Sequence, residues 1–382
     1  MNFDVSEEQD RIRQTVREFA EQEIAAGVAE RERTETFPRE IIARLGEMGI
    51  MGMMVPEEYG GSGLDALSYV LAVEELARVC ASTAVIMSVN NSVFCYPVWK
   101  FGTDRQKKEI LSEVAAGRAL GAYALTEPQS GSDAANQKTV ARREGNEYVL
   151  DGAKSWITNA GEAQWYLVMT MTDPTKGTHG ITGFLVSADQ PGVTVGAPEA
   201  KMGLRASKTA AISLEGVRVP EWRRLGEEGQ GFSIAMTTLD HSRIGIAAQG
   251  IGIARAAYEA SVEYARTRET FGRKIAEHEA IAFQIADMKV QIEAARWLTY
   301  RAAVRSDTPG VRFSKESSMA KVFATEMANT VAARAVQIFG GYGYSRDYPV
   351  ERYYRDARVT TIYEGTSEIQ RIVISKNILA GR

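Results

Sequence analysis

Glu364 stands alone in the stretch IYEGTSEIQR, residues 362–371, directly ahead of Gly365 and a helix-start signal. Ser367 with Gln370 reads as a capping box, so a new helix is expected just after the carboxylate. The positive end of its dipole favours a nearby anion by about 0.3–1 kcal/mol. Two readings stand together: an acid that decorates a helix start, or one held there for chemistry. TLDHSR, residues 238–243, puts Asp240 and Arg243 three apart on a helix, where an ion pair is the plain reading.

Four other stretches pair chemistry with punctuation. LTEPQSGSDAA, residues 125–135, offers hydroxyls and free backbone N–H groups, or is a domain linker. KSWITNAG, residues 154–161, puts Trp156 and Thr158 on one strand face, to stack on and bond a flat heterocycle or to fill a core. RTRETFGRK, residues 266–274, is a solvated helix end, or grips a pyrophosphate through Arg268 with an adenine on Phe271. FGGYGYS, residues 339–345, caps a helix or lets backbone approach a ligand closely. GIGIAR, residues 250–255, resembles part of a dinucleotide fingerprint but lies within a helical pattern with no strand before it, so no Rossmann unit is expected.

These stretches need elements to position them. Up to about Gly121 the chain reads as helical. Ser6 with Gln9 and Thr103 with Gln106 form capping boxes, Pro38 opens a helix over 39–48, and an apolar helix runs from about 67 to 80. From Tyr123 to about Val219 short alternating runs take over: WYLVMTMT, ITGFLVS, GVTVG and TAAISLE read as strands, and YVLDGAKSWIT as a hairpin about Asp151-Gly152. From Gly231 long helical patterns return, the first too long for an average helix and expected to split in two, and four such patterns with short links predict an antiparallel bundle. The fold class is therefore α+β multidomain: an all-α unit over 1–121, a middle β-barrel or sandwich over 122–230, and a C-terminal four-helix bundle over 231–382.

Bulk properties narrow the classes. With 382 residues, 45% apolar and 25% charged, the composition is that of a globular protein with a sizeable core. A net charge of −4 argues against nucleic acid. Two cysteines in apolar runs fit a reducing compartment. Three histidines with no CxxC, HExxH or Asp-rich loop give no metal site. The acidic start MNFDVSEEQD is neither a signal nor a transit peptide, and no run spans a membrane, so a cytoplasmic protein is expected.

YALTEPQSGSD, KSWITN, TRETFG, QIFGGYGY and IYEGTSEIQR occur in the order and at the spacing of the acyl-CoA dehydrogenase flavoproteins, and the chain resembles that family from its first helix to Leu379. The resemblance implies a homotetramer with one FAD per subunit and the flavin between β-domain and bundle. Tyr123, Leu125, Thr126 and Ser132 would line the flavin and its linker, and Trp156 and Thr158 its edge. Arg268 and Phe271 would reach the pyrophosphate and adenine of a neighbouring subunit's FAD, and Gln337, Gly340 and Gly341 the adenosine end. Thr366 and Glu368 would also touch the cofactor, and Ser132, Asp240, Arg243 and Gly365 the acyl-CoA. Glu279 stands where the family commonly has Gln; a carboxylate cannot donate, so it would accept from a ribose hydroxyl or pair with an Arg.

The implied reaction makes a trans-2-enoyl-CoA from an acyl-CoA, the chemistry of fatty acid β-oxidation, with Glu364 as base and hydride passing to flavin N5. The Glu364 N–H and a ribityl hydroxyl would bind the thioester oxygen, and a flexible turn would let the carboxylate swing. Burial is expected to outweigh the dipole once substrate excludes water, raising the base above the ordinary ~4.3. One branch of the family carries its base where this chain has Ser242, which leaves Glu364 as the base. VNNSVFCYPVWKFG and DARVTTIYEGTSEIQR are similar to short-chain members, so butyryl- or hexanoyl-sized substrates and an electron-transferring flavoprotein as acceptor are expected. The competing readings are an acyl-CoA oxidase or flavin monooxygenase on the same fold, and a helical binding protein without catalysis.

Overall fold

Ser6 accepts from the Gln9 N–H at 3.2 Å while the Gln9 amide oxygen accepts from the Ser6 N–H at 2.9 Å, so the first helix, Glu7–Phe19, starts at its capping box. The structure is a computed structural model that describes residues 5–381; the first four residues of the acidic start, and Arg382, lie outside it. Thr103 and Gln106 form the second box. Pro38 precedes the helix Arg39–Glu47 as its cap residue. Asp65 caps Ala66–Val79 through the Ser68 N–H at 2.7 Å, and that helix is buried almost throughout.

Strand texture begins at β1, Gly121–Ala124, and continues through β2 (Val140–Glu144), β3 (Glu147–Thr158), β4 (Trp165–Met171), β5 (Ile181–Ser187), β6 (Val193–Pro198), β7 (Thr209–Pro220) and β8 (Arg224–Leu225). They form one mixed sheet in the order β6-β7-β3-β2-β4-β5-β8, with β1 parallel to β4. The hairpin expected at Asp151-Gly152 is not there. The chain reverses between Glu144 and Glu147, with Gly145 at φ +64°, and β3 runs on for twelve residues. Asp151-Gly152 is instead a bulge: the register against β7 shifts there, and the Asp151 carboxylate takes the Gly216 N–H at 2.7 Å.

The C-terminal unit opens with one unbroken 37-residue helix, Gly231–Thr267, rather than two. The helices Glu279–Ser306, Ser314–Phe339, Val350–Thr360 and Ser367–Leu379 follow. Gly250 and Gly252 of the rejected fingerprint lie in mid-helix, and a β-carbon on Gly252 would stand 2.5 Å from the Glu74 carbonyl. Its absence lets Gly231–Thr267 press against Ala66–Val79. One apolar cluster runs from Val16 through Tyr148 to Phe339, so both helical units and part of the sheet share a core. Among the described residues no helix is long and apolar enough to cross a membrane, and no group of acidic, His or Cys side chains could hold a metal.

Candidate functional site

Between Val350–Thr360 and Ser367–Leu379 the chain turns through two left-handed residues, Glu364 at φ +52° and Gly365 at φ +95°. A non-glycine residue there is uncommon, and such strain persists only where surroundings enforce it. Here they do. The Ser367 N–H donates to the Thr361 carbonyl at 3.0 Å. The helix cap is Thr366, whose hydroxyl accepts from the Ile369 N–H at 3.4 Å, and not Ser367 as the capping-box reading had it. That frees Gln370 to turn its amide back onto the carbonyls of Gly365 (2.9 Å) and Glu364 (3.2 Å). Lys321, wholly buried in Ser314–Phe339, donates to the same Gly365 carbonyl at 2.8 Å. The turn is therefore tied down, where a flexible one was expected.

The turn forms one wall of a cavity of about 310 Å³. Helix Gly231–Thr267 contributes Phe232, Met236, Leu239 and Arg243; the β-domain contributes Tyr123, Leu125, Thr126, Ser132, Trp156 and Thr158. The side chain of Glu364 is half-buried because one side meets the cavity, yet its Oε2 is shut from solvent without a hydrogen-bond partner. Burial pushes its pKa up to about 7, against the pull of the Ser242 hydroxyl, Lys321 and Arg243. Burial by the protein's own residues outweighs the helix dipole. Arg243 is buried, pairs with Asp240 and reaches Ser318 Oγ at 3.4 Å; Ser314 also donates to Asp240.

On the β side, Trp156 is 61% exposed at φ +60°, just where β3 slips register against β7. The slip turns a large aromatic out towards the cavity while Ile157 goes into the core, so the core-Trp reading fails. The loop 125–135 is pinned from below. Lys154 Nζ, fully buried, donates to Glu127 Oε1 at 2.7 Å, Gln137 Oε1 at 2.5 Å and the Leu125 carbonyl at 3.3 Å. Glu127 also accepts from the N–H groups of Lys138 and Thr139 at 2.7 and 3.0 Å. Lys154, Glu127 and Lys321 drew no role from sequence alone: a lysine at helical or strand spacing reads as solvated, and only tertiary packing shows it is buried.

The remaining expected residues lie elsewhere. Arg268, Gly340 and Gly341 line a second depression with Tyr264, Thr270, Phe339 and Tyr342, and it shares no lining residue with the first. Phe271 is 97% exposed at the tip of the small hairpin Glu269–Lys274. Gln337, Glu279 and Glu368 are exposed, the last two at helix starts.

The first cavity fits the flavin the resemblance implies. Its lining joins an exposed indole, apolar faces from all three units and the buried polar atoms Tyr123 Oη, Arg243 Nε and Glu364 Oε2, all without protein partners. Such atoms are costly unless a ligand satisfies them.

Family comparisons match three models: Acyl-CoA dehydrogenase, N-terminal domain, over residues 6–118; middle domain, over 122–217; and C-terminal domain, over 229–379. An acyl-CoA dehydrogenase of Bacillus subtilis is 49% identical, with 99% of both chains covered. Butyryl-CoA dehydrogenase of Megasphaera elsdenii superposes with a TM-score of 0.97 at 45% identity, covering 99% of this chain and 100% of the other. A chain in a structure described as the electron transferring flavoprotein of Acidaminococcus fermentans superposes with a TM-score of 0.98 at 47% identity, over 99% and 100% of the two chains.

Proposed function

We propose that this chain, which belongs to the acyl-CoA dehydrogenase family of FAD-dependent oxidoreductases, dehydrogenates a short-chain acyl-CoA to the trans-2-enoyl-CoA with Glu364 as general base. The observation that carries this reading is the Glu364 carboxylate: in a cavity wall, one oxygen unpartnered, with a pKa near 7. A base works best near the operating pH, and an ordinary glutamate is too weak.

Glu364 takes the proton from the α carbon, a hydride leaves the β carbon, and the electron pair of the α C–H bond becomes the new C=C bond. Bound FAD supplies the hydride acceptor. The backbone N–H of Glu364 takes no part in the hydrogen bonds that close its turn, which leaves it for the thioester oxygen, where negative charge develops. Trp156, Thr158, Tyr123, Leu125 and Thr126 orient the flavin, with Ser132 at its linker. Ser132, Asp240, Arg243 and Gly365 meet the acyl-CoA, and Thr366 and Glu368 the cofactor.

Arg268, Phe271, Gln337, Gly340, Gly341 and Glu279 would serve the FAD of a neighbouring subunit. Their separation from the first cavity and the exposure of Phe271 support that assignment. A homotetramer accords with the exposed stripe Phe283, Val290, Trp297 and Val304, seven residues apart on Glu279–Ser306. Units bounded at 1–121, 122–230 and 231–382 accord with the three family matches. An electron-transferring flavoprotein as acceptor draws support from the Acidaminococcus structure, butyryl- to hexanoyl-sized substrates from the Megasphaera enzyme, and a cytoplasmic site from the buried free thiols of Cys80 and Cys95. The reading is tested by anaerobic flavin bleaching across an acyl-CoA series from four to sixteen carbons. The purified protein should be yellow and bleach fastest at four to six; a colourless protein, or bleaching that favours long chains, contradicts it.

A further inference from the structure

Lys321 is wholly buried, and the partner its ammonium meets is a backbone carbonyl, not a carboxylate. An ion taken out of water on those terms is costly, and such groups persist where they hold something in place or take part in chemistry. What it holds is Gly365, the second residue of the left-handed turn that carries Glu364. We propose that Lys321 is a positioning residue for the base: from a separate helix it clamps the Gly365 carbonyl, keeps the Glu364 carboxylate aimed into the cavity, and sets a positive charge behind it. The proposal rests on Glu364 being the base.

Two donors meet on that carbonyl, Lys321 at 2.8 Å and the Gln370 amide at 2.9 Å. Gln370 belongs to the helix that follows the turn, so it moves with the turn; Lys321 belongs to Ser314–Phe339 and fixes the turn to the bundle. Lys321 thus ties the carbonyl of the turn to Ser314–Phe339, beside a second tie in which the Tyr363 hydroxyl donates to Gln249 of Gly231–Thr267; Ser314–Phe339 packs along Gly231–Thr267, which brings Arg243.

The groups facing Glu364 are Ser242 and Arg243 from Gly231–Thr267, Lys321 from Ser314–Phe339, Tyr123 from β1, Tyr69 from Ala66–Val79, and Tyr363 beside it. Burial raises the three tyrosines, so they stay neutral in any ordinary assay. Arg243 stays a cation. Lys321 is brought down to about 7, chiefly by burial and further by Arg243, against the pull of Glu364, of Glu326 on its own helix and of Glu368 on Ser367–Leu379, so its charge and that of Glu364 change over one pH range and titrate as a pair. Removing that cation disfavours the carboxylate and moves the base's titration to higher pH.

The test uses flavin-loaded Lys321→Met, which loses donor and charge, and Lys321→Gln, which keeps a donor and loses the charge. Flavin content and thermal midpoint are measured first, then the pH profile of anaerobic flavin reduction by butyryl-CoA, with Glu364→Gln alongside. Lys321→Met should lose about 10- to 100-fold in rate, as misplaced catalytic groups do. In both variants the limb that reports the base should move up by roughly one pH unit, with the smaller rate loss in Lys321→Gln. Flavin-loaded variants with rates within about twofold of the parent and an unmoved limb overturn the proposal. A lower thermal midpoint with an unmoved limb marks a merely structural lysine and also overturns it. Should neither variant load flavin, a crystal structure of the parent decides: an ammonium turned away from the Gly365 carbonyl refutes the clamp, and one bonded to it upholds it. An active Glu364→Gln sinks the base assignment itself, so the two failures are told apart.

Discussion

Two buried acid–lysine couples flank the cavity, and they are built on opposite terms. Under the loop 125–135, Glu127 and Lys154 touch at 2.7 Å, and the carboxylate also takes two backbone N–H groups. There the charge of Lys154 and those hydrogen bonds overcome burial and bring Glu127 down to about 2, while Lys154, lowered by burial against the attraction of Glu127, settles at about 8. At the turn, Lys321 bonds a carbonyl, Glu364 keeps an unpartnered oxygen, and the glutamate is driven up and the lysine down to about 7 each, burial being the largest cause for both. The same residue types differ in whether they are allowed to pair. Pairing makes a scaffold whose carboxylate stays ionised; withheld pairing makes a proton acceptor poised near neutrality.

Breaking the paired couple should have the larger effect on stability. Lys154→Met leaves Glu127 charged and buried, and removal of one partner from such a pair costs about 3–5 kcal/mol. Denaturant unfolding should show that loss, and Lys154→Met combined with Glu127→Leu should recover part of it. A loss below about 1 kcal/mol would mean the loop is held by its backbone bonds alone.

The unpaired couple should respond with the opposite sign. The pKa of Glu364 is higher folded than unfolded, so its contribution to stability is full below about 4.5 and is lost as pH rises through about 7. Glu364→Gln should therefore match the parent near pH 4 and exceed it at pH 8. The gain should be about 1–3 kcal/mol, discounted for the water the cavity admits and for the weakened support to Lys321. Unfolding of the flavin-loaded proteins at the two pH values checks this; a variant less stable at pH 8 would show that the carboxylate is stabilised by neighbours rather than strained by them.

How far each couple could be read from sequence follows the same divide. The turn was legible because its signals are local: a lone acid, a glycine and a hydroxylated helix start within five residues. The cap itself was misplaced by one residue, since Gln370 turns its amide onto the carbonyls of the preceding turn instead of capping Ser367. The texture changes near Gly121 and Gly231 were legible for the same local reason. Asp151-Gly152 misled, because the strand partner on each side kept β3 paired through the bulge that a free chain would have used as a turn. Lys321 and Lys154 could not be found, since a lysine's burial is decided by helices and strands far away in sequence. The 37-residue helix was expected to break because its length exceeds the usual run; Ala66–Val79 and Ser314–Phe339 pack along it and leave it no reason to.

The base assignment is tested most directly by one single-turnover measurement: anaerobic flavin bleaching of yellow Glu364→Gln on mixing with butyryl-CoA, against the parent. Loss of a general base predicts a rate reduced by about 10²–10⁴-fold with flavin fully bound. Bleaching at near the parent rate would contradict it and leave the strained turn at Glu364 without a catalytic reason.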